Sequence, residues 1–261
     1  MTTLKILKYE LADVVRGRWL PAYAGFFLLA TEALLRFGGT GEAALLSLMN
    51  VVLFVAPLMS LIFGAVYLYG AREFNELLLS QPVSRRQLFG GLYLGLALPL
   101  ALAFALGVGI PFAARLGATG GIPALVVLLA VGIVLTLVFT AVAFLIAVRL
   151  DDRAQGLGAA VLLWLLVAVV YDGLVMLGAT IFADYPLEKP LLALMVLNPL
   201  DLARVILLMT FDAAALMGYT GAVFQRFFGS PLGLAVASTA LAVWIALPLT
   251  GALQLFRRKD F

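Results

Sequence analysis

Glu32 and Asp172 interrupt otherwise apolar runs, in the stretches LLATEALLRF and VVYDGLVMLG. A charged side chain held in hydrocarbon costs about 2.5–3.5 kcal/mol on insertion scales. Such acids either line a polar pathway or gate, or extend to a nearby interface. Six methionines besides Met1, at positions 49, 59, 176, 195, 209 and 217, supply thioethers. Thioethers suit Cu(I), but no M-x-x-M pattern gathers these, and methionine is also ordinary apolar filler. No metal site is expected. The remaining inventory is defined by absences. The chain has no histidine and no cysteine, which removes Ser-His-Asp hydrolysis, imidazole ligation, disulfides and thiolate chemistry. No catalytic constellation survives. G-x-x-x-x-G-K-[ST] is missing, and Gly-Lys never occurs. The chain therefore lacks the loop that cradles nucleotide phosphates, and ATP, if it is used, is bound elsewhere.

The elements that must position these residues follow from composition. The 261 residues are 64% hydrophobic and 12% charged, against about a quarter charged in soluble domains. The bilayer is the expected solvent. A pI near 9.3 then reports loop charge bias and not a nucleic-acid partner. Six runs reach the roughly 20 residues a spanning helix needs: Trp19–Leu35, Val51–Tyr69, Leu92–Phe112, Ile122–Val148, Leu157–Ile181 and Leu232–Phe256. With the N-terminus inside, 12 Lys and Arg residues fall on the inner side and 5 on the outer. This positive-inside bias makes both termini cytoplasmic. Glu32 and Asp172 then lie nearer the outer ends of their spans. A seventh span over 191–211 would contain Asn198, Pro199, Asp201 and Arg204 and would carry Arg257–Lys259 outward, so 182–231 is expected to be external. The chain reads as a single all-α transmembrane domain, 1–261, without repeats. Its start is amphipathic and charged, unlike a cleavable leader.

Residues 2–18 place Leu4, Leu7, Leu11, Val14 and Val15 on one helical face, with Lys5, Lys8, Asp13 and Arg16 elsewhere. This predicts an interfacial helix on the inner leaflet. In GAREFNELLLSQPVSRRQLFGG, residues 70–91, Phe74, Leu77 and Leu78 continue the second span as a helix beyond the bilayer. Arg72 and Glu76 can pair at i, i+4. Pro82 ends the helix. Ser84 and Gln87 match a capping box that starts the third span. A helical hairpin tip with an apolar face is the result, and that face needs a partner. In LNPLDLARVILL, residues 197–208, Asn198 is a good N-cap, Pro199 fits the first position and Asp201 the first turn. Leu202, Val205, Ile206 and Met209 share a face, with Asp201 and Arg204 off it. The spacing predicts an amphipathic helix at the outer interface, either a partner-docking element or a lid on the bundle.

An acid after the second span, a leucine cluster and Pro-Val-Ser-Arg, here Glu73, Leu77–Leu79, Pro82, Val83, Ser84 and Arg85, resemble the cytoplasmic loop of ABC-2 type transporter permeases. Six spans, an amphipathic N-terminal helix and inner termini fit the same family. The resemblance implies that this loop contacts a separate cytosolic ATPase subunit. Arg72, Glu73, Glu76, Leu77, Pro82, Ser84 and Arg85 are then the coupling residues. It also implies a homodimer in the bacterial inner membrane, with ATP and Mg on the partner and no cofactor in this chain. The Leu-Asn-Pro-x-Asp motif, with a fifth span that ends LLWLLVAVVYDGLVMLG and carries Asp172, resembles the permeases of nitrous-oxide-reductase maturation systems. That adds a periplasmic accessory protein, docked near Asn198, Pro199, Asp201 and Arg204, and a role in copper-sulfur centre assembly. The alternatives are an ABC-2 exporter of another cargo, an ion-coupled secondary transporter using Glu32 or Asp172, and a passive scaffold.

Overall fold

The structure, a computed structural model, describes residues 11, 14, 17–38, 41–72, 83–115, 122–182, 185, 188–210 and 227–259. Among them every regular element is helical. The elements are α1 (Trp19–Phe37), α2 (Gly41–Gly70), α3 (Arg85–Ala113), α4 (Ile122–Arg149), α5 (Arg153–Leu165), a π turn (Leu166–Val170), α6 (Tyr171–Ile181), α7 (Glu188–Val196), α8 (Pro199–Thr210) and α9 (Pro231–Arg258). Six are long and apolar enough to cross a membrane: α1, α2, α3, α4, the continuous α5–π–α6 run, and α9. Only a helix or a closed barrel satisfies its backbone without water, which is why apolar runs of this length adopt this form. The six expected spans are all present. α2 starts well before Val51, because Gly41–Asn50 stays helical although its mixed composition marked no span.

The helix starts are set by side chains. Ser84 Oγ accepts from the Gln87 amide at 3.3 Å and opens α3, as the capping box requires. Asp152 caps α5 through the Gln155 amide at 2.7 Å. Ser230 caps α9, with Pro231 at the first helical position.

α4 runs through the centre of the bundle against α2, α3 and α9. Leu128, Leu135, Val138, Phe139 and Phe144 along it are buried. Two close crossings depend on glycine. A Cβ at Gly132 would overlap the Phe104 ring, and one at Gly64 would overlap Ala143. Small residues let helices approach where apolar side chains gain little from leaving lipid. Phe104 then meets Phe27 of α1 edge to face at 5.1 Å.

The segment after α6 departs from expectation. α7 and α8 form a pair bent by 108°. Its elbow bonds to Val167 and Trp244, each near the midpoint of its own span. α8 also packs on Val134, near the midpoint of α4. The pair therefore dips into the bundle, a re-entrant arrangement, and does not rest on an outer surface. Pro199, Leu200, Asp201, Leu202, Ala203 and Val205 are all buried. The expectation that Asp201 lies off the packed face is corrected: α8 is enclosed on more than one side. The expected interfacial helix at 2–18 falls mostly outside the described residues, although Val14 is buried.

Candidate functional site

Two polar clusters hold the chemistry-bearing residues, one at the base of the α5–π–α6 span and one near its midpoint. The first surrounds the two ends of the 70–91 segment that are described. Glu73, Glu76, Leu77 and Pro82 lie outside the described residues, while Arg72, Ser84 and Arg85 flank them. Arg72 follows α2, and its Nη2 donates to Asp151 Oδ1 at 2.6 Å. Lys259 Nζ reaches the same oxygen at 2.5 Å and the Val148 carbonyl at 2.9 Å. Arg85 Nη1 donates to the carbonyls of Phe256, Arg257 and Lys259 at 3.3, 2.9 and 2.7 Å. A cation suits this position, since the last turn of a helix points its carbonyls outward and carries the negative end of the helix dipole. Tyr69 completes the set by donating to Leu150 at 2.9 Å. The residues on either side of 73–82 are thus fastened to neighbours: Arg72 to the α4–α5 turn, Arg85 to the end of α9. The Lys259 ammonium bond, with Arg72 adding attraction, holds the Asp151 carboxyl below the usual carboxylate range. Asp151 is largely exposed, so the link is a modest surface contact.

The second cluster lies at the elbow. Asn198 Oδ1 accepts from the Leu200 amide at 2.9 Å, the expected N-cap. Its Nδ2 donates to the Val167 carbonyl at 3.0 Å. Val167 lies in the π turn, where the i→i+5 pattern displaces the regular ladder. Tyr171 donates to Leu194 at 2.6 Å, and Trp244 Nε1 to Val196 at 3.4 Å. Arg204 Nη1 meets Asp172 Oδ2 at 2.5 Å and Asp201 Oδ1 at 3.4 Å. Asn198, Asp172, Asp201 and Arg204 were all legible as polar residues in an apolar context. The sequence did not reveal that Asp172 and Arg204 are partners.

Glu32 is not part of either cluster. It accepts from Arg36 at 2.7 Å and from Arg115 at 2.6 Å, so it ties the end of α1 to the residues after α3. The sequence pointed to no role for Asp151, Tyr171 or the π turn, and Lys259 entered only as one of the inner-side charges. The Asp151-Asp152 pair between two apolar runs was the one available signal. No group of three or more His, Cys, Asp or Glu that could hold a metal occurs among the described residues. An open apolar groove of about 650 Å³ runs beside Leu197, Val243, Trp244 and Leu247, and none of its lining residues titrates in the physiological range.

Six helices long enough to span a membrane and a re-entrant pair before the last of them describe a multi-pass membrane protein. The chain belongs to the ABC-2 family of transporter proteins, whose family model matches residues 4–261. It is similar to a protein of Pseudomonas aeruginosa named "Probable ABC transporter permease protein NosY", at 33% identity over 97% of both chains. A protein of the same name from Stutzerimonas stutzeri is 28% identical, again over 97% of both.

Proposed function

We propose that this chain is the membrane-spanning permease subunit of an ATP-driven transporter, paired with a separate cytosolic ATPase through the 70–91 hairpin. The observation that carries the reading is the clasp at the hairpin roots. Arg72 holds Asp151, and Arg85 holds the carbonyls of Phe256, Arg257 and Lys259. A push on the hairpin would therefore reach the α4–α5 turn and α9 together. The basic end of the bundle is then cytoplasmic and the re-entrant pair faces the periplasm, in accord with the Lys and Arg bias. ATP and Mg belong to the partner. A second copy of the permease completes the membrane domain in the inner membrane. The similarity to proteins named NosY and the Leu-Asn-Pro-x-Asp motif support service in nitrous-oxide-reductase copper-sulfur centre maturation. The α7–α8 side would then meet a periplasmic accessory protein.

The test is co-purification of the tagged chain in mild detergent, comparing wild type with the Glu73→Lys/Leu77→Asp double variant. An ATPase subunit should accompany wild type and be lost from the variant. No ATPase with either protein would overturn the coupling. A strain lacking the permease should accumulate reductase without its copper-sulfur centre and recover it when this chain is supplied. Normal centre assembly in that strain would send the reading to another cargo.

A further inference from the structure

The span from Arg153 to Ile181 is built in two unlike halves. Its first half is packed. Ala160 is fully buried, and Gly156 receives the Tyr69 ring in a space where no Cβ would fit. Trp164 Nε1 donates to the Phe54 carbonyl at 3.1 Å, and the two rings meet edge to face. All of these contacts go to α2. Beyond the π turn the packing stops. α6 has no buried residue. Its side-chain links to other elements, among the described residues, are the Tyr171–Leu194 bond and the Asp172–Arg204 ion pair. Both lead to the re-entrant pair. α8, by contrast, is anchored: Leu202, Ala203, Val205 and Leu207 are fully buried. One half of the span is thus fixed to α2, and the other is fastened by an ion pair to the anchored α8 and by one hydrogen bond to α7. Between them lies the one π turn among the described residues. π turns interrupt the regular ladder and recur at functional sites.

We propose that Leu166–Val170 is a hinge and that Asp172–Arg204 is the latch that holds α6 against α8, so that the far end of the span can swing out while its base stays on α2. Arg204 is a positioning residue here, because it acts through Asp172. Asn198, bonded to the Val167 carbonyl, marks the pivot. α4 and α9 bring no charged residue to this depth, since Arg149 and Arg257–Arg258 stand at their opposite ends. Asp201, 3.4 Å from Arg204, is the nearest competitor and would take the guanidinium when Asp172 lets go. The device belongs to the chain itself and holds whether or not an ATPase drives it.

The absence of native cysteine allows paired spin labels. Leu177→Cys on α6 and Val126→Cys on α4 are exposed positions at the same end of the bundle. Leu162→Cys with Val126→Cys reports the packed half. Distances would be measured by pulsed electron resonance in lipid nanodiscs. Leu177 stands about 10 Å beyond the hinge at 1.5 Å per residue. A swing of about 30° would carry it on the order of 5 Å. Intact protein should show one dominant distance for both pairs. Arg204→Gln should add a second population, displaced by that amount, for the Leu177 pair only. The exchange Asp172→Arg/Arg204→Asp should restore the single distance. An unchanged Leu177 distance in Arg204→Gln overturns the latch, and equal movement of the Leu162 pair overturns the hinge. Asp172→Asn breaks the same link from the other side and carries the same expectation if Arg204→Gln does not fold.

Discussion

Asp151 shows how a residue with little intrinsic signal acquires a role from its neighbours. Its carboxylate accepts from Lys259 and from Arg72. Its folded value is therefore held below the value near 3.9 of an unfolded chain. A depressed carboxylate contributes stability that is present above the unfolded value and is lost as pH falls through the folded one. Thermal unfolding of the detergent-solubilised protein, followed from pH 6 downward, should show a decline at acid pH that Asp151→Asn lacks in part. Identical acid profiles for the two proteins would remove the ion link from the account. Arg204 belongs to the same scale. Replacing it with Ala leaves Asp172 and the buried Asp201 without their cation. That should cost about 1–3 kcal/mol, the range for an unsatisfied buried polar group. It would be read as a lower midpoint in denaturant, and Arg204→Lys should recover part of the loss.

At the scale of elements, the helix crossings decide the packing. α3 and α4 approach at Gly132, where Phe104 occupies the space a side chain would need. Phe104 is itself fully buried and set against Phe27, so it has nowhere to retreat. Gly132→Leu should destabilise the protein by about 1–3 kcal/mol, the usual range for overpacking, or prevent its accumulation in the membrane. Gly109 on α3 has open space around it, and Gly109→Ala should leave the unfolding midpoint nearly unchanged. A similar loss from both substitutions would indicate a general intolerance of helix surface changes and not a specific crossing. The spans themselves were readable from length and hydropathy, since each apolar run had to become a helix. The π turn was not readable. LVAVV is an ordinary apolar sequence, and its i→i+5 pattern comes with the bond that Asn198 makes from another element.

At the scale of the whole molecule, orientation and coupling are the open consequences. With no native cysteine, Ala114→Cys and Arg258→Cys report opposite ends of the bundle, and both positions are exposed. A membrane-impermeant maleimide added to intact spheroplasts should label Ala114→Cys readily and Arg258→Cys only after permeabilisation. The reverse pattern would place the clasp outside and separate it from any cytosolic ATPase. The clasp and the elbow are joined by one span. Asp151 and Asp152 lie at its base, and Val167, Tyr171 and Asp172 bear on the re-entrant pair.

The sequence by itself determined the membrane class, the six spans and the capped start of α3, and it ruled out catalysis by histidine or cysteine. These follow from local rules: the solvent a segment can tolerate, the length of a bilayer and the groups that can cap a helix. It also singled out Glu32, Asp172, Asn198, Asp201 and Arg204 as polar residues out of place. What each of them touches was decided by tertiary structure alone. Glu32 could have lined a pathway or reached an interface, and the structure shows what it touches: it joins α1 to the residues after α3. Asp201 and Arg204 looked like the exposed side of a surface helix and instead lie within the bundle. The physical reason is that an amphipathic pattern states how much of a helix must be covered, not what covers it. A single apolar stripe can rest on lipid, while α8 sits deeper, where it is covered on more than one side and Asn198 and Arg204 find partners on the neighbouring span.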